Sequence, residues 1–485
     1  MKFTVRFDSL KFSKIIVIFL LIFFCSSCFM HPLWKPYFFP EKDDTLQPYL
    51  FGLIPGNGSG NEARITSLSK SSGVEGETIT IEGANFSSNS QENKVRFSGS
   101  VEAEIVSGND SSLTVQIPPG AKSGIISVET PLGSTQSEGA FTVYRYFISF
   151  STNSNSEVYA LNLLNGEITS IPGSPFSLVI EQGPKFTLNG KFAFSGGFGG
   201  LTQLTSYSVN PENGKLTVLN ANAGSTTQNP VFFAFHPSGK FLYVSSNATG
   251  AAVAAFGLDQ ETGSLAKIAD YTGCGGCNLN HIATTPNGKF LYVNANSGGE
   301  PIIGFSIDQT NGALTRLADT TGEPNMDALM IDSTSKYLYS VAAANIIIGK
   351  NIDQTTGALA NILGNPFAGT ANNFRAAIHP SGKYLYTVNI GNRQLAKHDI
   401  SSADGSLSAA NSILQFGAPG SSLQFVRLDP TGSYGFVSNH DGAQGYFFQF
   451  RVDPDSGVPS LMNSGNGIST PGGVPTVPEP FRVAQ

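Results

Sequence analysis

Pro237-Ser238-Gly239-Lys240-Phe241-Leu242-Tyr243-Val244 returns as Pro286-Asn287-Gly288-Lys289-Phe290-Leu291-Tyr292-Val293 and as Pro380-Ser381-Gly382-Lys383-Tyr384-Leu385-Tyr386. Weaker copies centre on Lys191, Lys336 and Ser433, and the six anchors in order are separated by 49, 49, 47, 47 and 50 residues. A period of this length with one aromatic strand per unit suits the four-stranded blades of a β-propeller. Each unit has the same plan. A strand enters the Pro-Ser-Gly-Lys turn, the aromatic strand leaves it, and a loop leads to a third strand such as Ile302-Ile303-Gly304-Phe305-Ser306-Ile307. The tight turn to the fourth strand recurs as Asp259-Gln260-Glu261-Thr262-Gly263, Asp308-Gln309-Thr310-Asn311-Gly312 and Asp353-Gln354-Thr355-Thr356-Gly357, with Asp453-Pro454-Asp455-Ser456-Gly457 as a variant. An Asp that accepts backbone N–H bonds, followed by a Gly at positive φ, gives this repetition a structural cause. Asp453-Pro454-Asp455 also suggests calcium, but no further carboxylates stand at ligand spacing.

Six full units begin near Gly183, Asn229, Asn278, Pro324, Asn372 and Ser421, while Tyr146 to Ser170 holds three strands without a first. Glu479-Pro480-Phe481-Arg482-Val483-Ala484-Gln485 supplies the missing strand, since Phe481-Arg482 parallels Phe374-Arg375. The prediction is a seven-bladed β-propeller over 145–485, closed by pairing of both ends of the propeller segment, which leaves no open edge. Upstream, short alternating strands such as Thr78-Ile79-Thr80-Ile81-Glu82-Gly83, Lys94-Val95-Arg96-Phe97 and Leu113-Thr114-Val115-Gln116-Ile117 fill 62–144 and predict an immunoglobulin-like β-sandwich. The fold class is all-β.

The composition agrees. The 485 residues are 40% hydrophobic and 13% charged, with 54 Gly and 36 Phe, which excludes disorder, collagen and coiled coil. A formal charge of -7 without a basic run beyond the extreme N-terminus argues against nucleic acid as a partner, because phosphate-backbone binding needs clustered Lys and Arg. At the N-terminus, Lys2, Arg6, Lys11 and Lys14 precede the apolar run Ile15 to Phe24, too short to span a bilayer but suited to an export signal. Residues 28–61 carry Pro32, Pro36, Pro40, Pro48 and Pro55 and then Gly56-Asn57-Gly58-Ser59-Gly60, the composition of a tether. Within it Trp34, Tyr37, Phe38 and Phe39 have two readings: rings at a lipid headgroup interface, or a strap packed on the first domain.

Three resemblances add to this reading. Cys25-Ser26-Ser27-Cys28 behind the apolar run resembles a bacterial lipoprotein processing site, with Cys28 as the lipidated residue and residues 1–27 removed, although a Cys stands three before it where Leu is usual. This implies a cell-envelope protein, exported from the cytoplasm and held to a membrane through a lipid anchor; an ordinary cleaved signal is the alternative. Ile65-Thr66-Ser67-Leu68, Gly76-Glu77-Thr78-Ile79-Thr80-Ile81-Glu82-Gly83-Ala84-Asn85-Phe86, Ile117-Pro118-Pro119-Gly120 and Phe141-Thr142-Val143 resemble the IPT/TIG domains, usually spacers or interaction modules. His-Pro-Ser-Gly-Lys-Phe-Leu-Tyr-Val phrases with Asp-Gln-x-Thr-Gly-x-Leu turns resemble the seven-bladed lactonase-type propellers, which include 6-phosphogluconolactonases and fungal muconate-lactonising enzymes.

In a meander the starts of the first strands and the loops between second and third strands share one face of the disc. Eight residues before the anchors stand Gly183, Phe232, His281, Ala328, Arg375 and Phe425, with Arg482 aligned to them in the terminal copy. Loop residues Glu300, Arg393, His440 and Asp441 belong to the same face, and Arg427 lies two residues along its strand. A lactonase needs a base for water and a cation for the oxyanion. His281 or Glu300 could be that base, and Arg375 with Arg482 could bind a carboxylate or oxyanion; related propeller lactonases use His, Glu and Arg in such a cleft, and the resemblance carries over to His281 and Arg375. The catalytic candidates are thus His281, Glu300 and Arg375, and the ligand-binding ones Arg375, Arg427, Arg482, Arg393, His440 and Asp441. The family's Gly-Pro-Arg-His stretch is Asn373-Phe374-Arg375-Ala376 here, without the His. The competing reading is that these groups hydrogen-bond to channel backbone, as His236 and His379 before their Pro are expected to do. Cys274-Gly275-Gly276-Cys277 predicts a local disulfide in an exported protein; a redox motif lacks its βαβ context, and zinc with His281 lacks a fourth ligand. The expectation is therefore a monomer without metal or cofactor, binding a small molecule or protein at the propeller face, with lactone hydrolysis as the alternative.

Overall fold

In the computed structural model, residues 62–152, 155–177, 183–196, 201–247, 252–272, 278–295, 302–318, 326–342, 345–370, 373–389, 391–417, 422–441, 444–470 and 477–485 are described. The N-terminal calls, Cys28 among them, and Glu300, Cys274 and Cys277 lie outside these residues, as do the side chains of His440 and Asp441. Beyond strands, the described residues form only two short 3-10 turns, Ser90–Glu92 and Asn463–Gly465.

Two four-stranded sheets form the sandwich. One orders Arg64–Leu68, Thr78–Ala84, Ser112–Gln116 and Ile105–Gly108; the other orders Val101–Ala103, Lys94–Ser98, Lys122–Thr130 and Gly133–Gln136. The alternation puts Ile79, Ile81, Val95, Phe97, Leu113, Val115 and Val128 into one core, while the intervening polar residues face out.

The propeller has seven sheets. Blade 1 takes its inner strand from Pro478–Ala484, then continues through Thr142–Thr152, Asn155–Leu161 and Ile168–Ser170. Blades 2 to 7 begin with Lys185–Phe186, Pro230–Phe235, Leu279–Thr284, Met326–Ile331, Asn373–Ile378 and Leu423–Leu428, each followed by its three antiparallel neighbours. Closure is by register: Phe147 pairs with Phe481, whose ring stacks on Phe186 with centroids 3.6 Å apart and on Phe147 at 5.4 Å.

Both recurrent turns hold neighbouring blades together. Asp259, Asp308, Asp353 and Asp453 each cap their turn by accepting two backbone N–H bonds on Oδ1. The turn glycines then lie flat against an aromatic ring of the preceding blade. Gly214 meets Phe147, Gly263 Phe192, Gly312 Phe241, Gly357 Phe290, Gly405 Tyr337 and Gly457 Tyr384, and Gly166 meets Tyr434 across the closure. A Cβ on any of the seven would sit 2.3 to 2.7 Å from its ring, and all seven have φ between 67° and 76°. Four of these contacts gain a hydrogen bond: the hydroxyls of Tyr243, Tyr292, Tyr339 and Tyr386 donate to the carbonyls of Gly312, Gly357, Gly405 and Gly457 at 3.0, 2.6, 2.6 and 2.6 Å. Each bond is worth about 1 kcal/mol.

The other turn is held by histidine. His236 Nδ1 accepts from the Ser238 N–H at 3.1 Å and its Nε2–H donates to the Gly288 carbonyl of the next blade at 3.0 Å; His379 does the same with Ser381 and Gly432. These are structural histidines, and burial lowers the pKa of both.

Sandwich and propeller share a strand. Thr142–Thr152 places Val143 in the sandwich core and Phe147 in the propeller core, and Ser72–Val74 of the sandwich pairs parallel with its start. Gln485 is held between them: its N–H donates to the Val143 carbonyl at 2.8 Å and its carbonyl accepts from the Ser123 N–H at 2.9 Å. Arg145 pairs with Glu75 at 3.0 Å and donates to the Glu212 carbonyl of blade 2 at 2.8 Å.

Two predictions follow from these contacts. Gly312→Ala, which combines a positive φ with a 2.4 Å approach to Phe241, is expected to lose about 2 kcal/mol or more in urea unfolding. The histidines fix a pH dependence: the unfolded chain binds protons below pH ~6.5 that the folded turns resist, so stability is full above that pH and falls as the pH drops from it. The urea midpoint is expected to decline between about pH 6.5 and 5, and the decline to be shallower in the His236→Gln, His379→Gln double variant.

Candidate functional site

The seven inner strands surround the central channel, and their register sorts its residues into levels. Lys185, Ala234, Ala283, Met330, Ala377, Arg427 and Glu479 pair with Phe194, Tyr243, Tyr292, Tyr339, Tyr386, Phe436 and Ser149, the same place in each second strand. Two residues earlier is a second level: Gly183, Phe232, His281, Ala328, Arg375, Phe425 and Val477. In blades 3 to 7 the ladder shifts register at or beside that level, between Pro230/Phe232, Leu279/Ile282, Met326/Ala328, Asn373/Arg375 and Leu423/Val426. Such bulges re-aim side chains.

This register corrects the alignment of Arg482. Arg482 pairs with Tyr146, at the turn end of the blade, and the counterpart of His281 and Arg375 in blade 1 is Val477. The local likeness of Phe481-Arg482 to Phe374-Arg375 is overridden by the stacking of Phe481 between Phe147 and Phe186. The Arg482 guanidinium lies 4.4 Å from the Tyr144 ring centroid and interacts with Tyr146.

A cavity of about 840 Å³ occupies the channel, lined by Lys185, Phe232, His281, Arg427, Glu479 and Arg482 among others. A second space of about 320 Å³ against Ala328, Met330 and Ala377 shares His281 and Arg427 with it. His281 is 7% exposed, stacks on Phe232 at 4.0 Å, and its Nε2 has no hydrogen-bond partner among the described residues. Burial, and after it the positive charges of Arg375, Arg427 and Lys185, hold its pKa well below the usual histidine value, so it is neutral at pH 7. Arg427 donates from Nη1 to the Val426 carbonyl at 3.0 Å; burial lowers its pKa and Glu479 opposes that shift. A guanidinium has five N–H donors, so this one bond leaves most of them for a ligand. Lys185 and Glu479 form an ion pair across 294 residues of sequence. Arg375 is buried, with its guanidinium 5.1 Å from the Phe425 ring centroid, and it does not line either space. Arg393, half-buried in its loop with φ 54°, does not line them either.

Of the residues picked out in the sequence, the channel therefore brings together His281 and Arg427, with Arg375 packed nearby and Arg482 at the far end. Lys185 and Glu479 were missed. Lys185 was within reach of the repeat, since it stands six residues before its anchor just as Arg427 does; Glu479 needed the true register of the closing strand.

The IPT/TIG domain family matches residues 63–143, and the family described as "Lactonase, 7-bladed beta-propeller" matches residues 189–279 and 294–424. The chain joins an IPT/TIG domain to a lactonase-type seven-bladed β-propeller. Among solved structures the lactonase-type propeller is similar to a putative 6-phosphogluconolactonase from Bacteroides fragilis, at 19% identity and TM-score 0.56 over 70% of this chain and 98% of that one. It is similar to a putative 6-phosphogluconolactonase from Bacteroides uniformis at 16% and 0.58, over 70% and 99%. Pseudomonas aeruginosa periplasmic gluconolactonase gives 17% and 0.56 over the same shares. At such identities the likeness establishes the fold. No curated protein matches the chain in sequence.

The channel level predicts a substitution effect. Arg427→Met keeps the stem and removes one of the three positive charges that, after burial, depress His281, so the His281 pKa is expected to rise while staying below the usual value, measurable by NMR titration of its ring protons.

Proposed function

We propose that this is an exported, lipid-anchored envelope protein whose propeller binds a small organic anion in its channel. The observation that carries the reading is Arg427, a cation lining the cavity with one hydrogen bond, to the Val426 carbonyl, beside the unpartnered Nε2 of His281. A guanidinium in a low-dielectric channel favours a carboxylate that it can grip with two parallel bonds. The anchor and tether, read from the sequence, support a place in the cell envelope.

Lactone hydrolysis is the second reading, and the unpartnered Nε2 of His281 in the channel favours it. Its Nε2 is suited to take a proton from water as the oxygen attacks the lactone carbonyl, with Arg427 facing the developing oxyanion. The ring C–O bond then breaks and the proton passes to the leaving alkoxide. Export weighs against a phosphorylated sugar lactone, which is a cytosolic metabolite, and leaves unphosphorylated lactones.

Residues 62–485 test both readings. Calorimetric titration with gluconate is expected to show binding that Arg427→Gln weakens at least ~10-fold. Hydrolysis of a lactone panel is expected to stay at the spontaneous rate; turnover above it that falls ~100-fold or more in a folded His281→Gln variant would replace the binding reading with the enzyme.

A further inference from the structure

The charge at the Arg427 level is confined to one side. Going round the ring, blades 7, 1 and 2 contribute Arg427, Glu479 and Lys185 in succession, while blades 3 to 6 contribute Ala234, Ala283, Met330 and Ala377. Glu479 stands between the two cations, is 7% exposed, pairs with Lys185 and stabilises the charge on Arg427. All three line the same cavity. The level itself therefore holds two positive charges and one negative, a net of one positive charge, opposite the uncharged Ala234, Ala283, Met330 and Ala377, while Arg482 lines the same cavity at its turn end and Arg375 is packed nearby.

We infer that Glu479 sets the charge of the ligand: as the channel's built-in counter-ion, it makes the site accept monoanionic carboxylates and reject dianions such as phosphate monoesters. This rests on the anion-binding reading above. A monoanion brings the level to neutrality. A dianion leaves one charge of the level uncompensated, and it brings a second negative group against the buried Glu479 carboxylate, the kind of repulsion by which a site excludes an unwanted partner. Two molecules that differ only by a phosphate group test it, and because that group changes size as well as charge, the discrimination by charge is read from how the preference moves when a charge of the level is removed.

Gluconate and 6-phosphogluconate are such a pair. Titrated calorimetrically at low salt into residues 62–485, wild type is expected to bind gluconate at least ~10-fold more tightly than 6-phosphogluconate. Glu479→Gln keeps the shape and raises the level to two positive charges; the ratio is expected to move at least ~10-fold toward 6-phosphogluconate. Lys185→Gln lowers the level to zero and is expected to weaken both anions, the phosphorylated one more. Thermal unfolding confirms that each variant is folded, and the Lys185 variant carries the test if the Glu479 variant is not. Ratios that stay at the wild-type value in both variants, with gluconate still bound, overturn the inference and leave the anion-binding reading intact. Failure of wild type to bind either anion overturns that reading and the inference with it.

Discussion

A glycine pressed flat against an aromatic ring is the contact on which this ring of blades depends. It occurs at all seven interfaces, from Gly214 on Phe147 round to Gly166 on Tyr434, and leaves no room for a side chain. The turn needs glycine twice over, for its positive φ and for the absence of a Cβ. The Asp cap fixes the turn, the turn presents the glycine, and in four interfaces a buried tyrosine hydroxyl ties down its carbonyl. Since each blade is held through its outer turns, the inner strands are released from the repeat. Their side chains are free to differ, and that is where the channel acquires Lys185, His281, Arg427 and Glu479 on a frame of near-identical units.

The same division explains what was legible in the sequence. Pro-Ser-Gly-Lys and Asp-Gln-x-Thr-Gly can be counted because a repeated contact selects them, and the count yields the blades and the shared closing blade. His236 and His379 read correctly as structural because they stand inside the repeated turn. The channel is not repeated, so it has to be found by register. A local resemblance placed Arg482 beside Arg375, whereas the stack of Phe481 on Phe186 slides that strand so that Val477 takes the place and Glu479 enters the level of Arg427. Nothing local marks Lys185 and Glu479 as partners, because only closure brings together residues so distant in the chain.

The sandwich is joined to the propeller more tightly than a spacer on a string. The strand Thr142–Thr152 belongs to both cores, Ser72–Val74 extends its pairing, and the backbone of Gln485 bonds to Val143 and Ser123 of the sandwich. The burial of Val143 on one side and Phe147 on the other leaves no hinge between them in sequence. Movement of the sandwich therefore bears on the blade that supplies Glu479.

This shared strand also has a meaning in time. A chain made from its N-terminus onward forms the sandwich early, and the sandwich holds out Thr142–Thr152 as a template with its inner edge unpaired. The six blades that follow stack in order, but the partner of that edge, Pro478–Ala484, is the last of the described strands to be made. Until it arrives, Phe147 and Phe186 face water and Lys185 has no carboxylate. An unpaired edge of this kind invites wrong partners. Closure of the ring is therefore the last step of folding, and the pocket that Lys185, Arg427 and Glu479 share exists only once that step is complete.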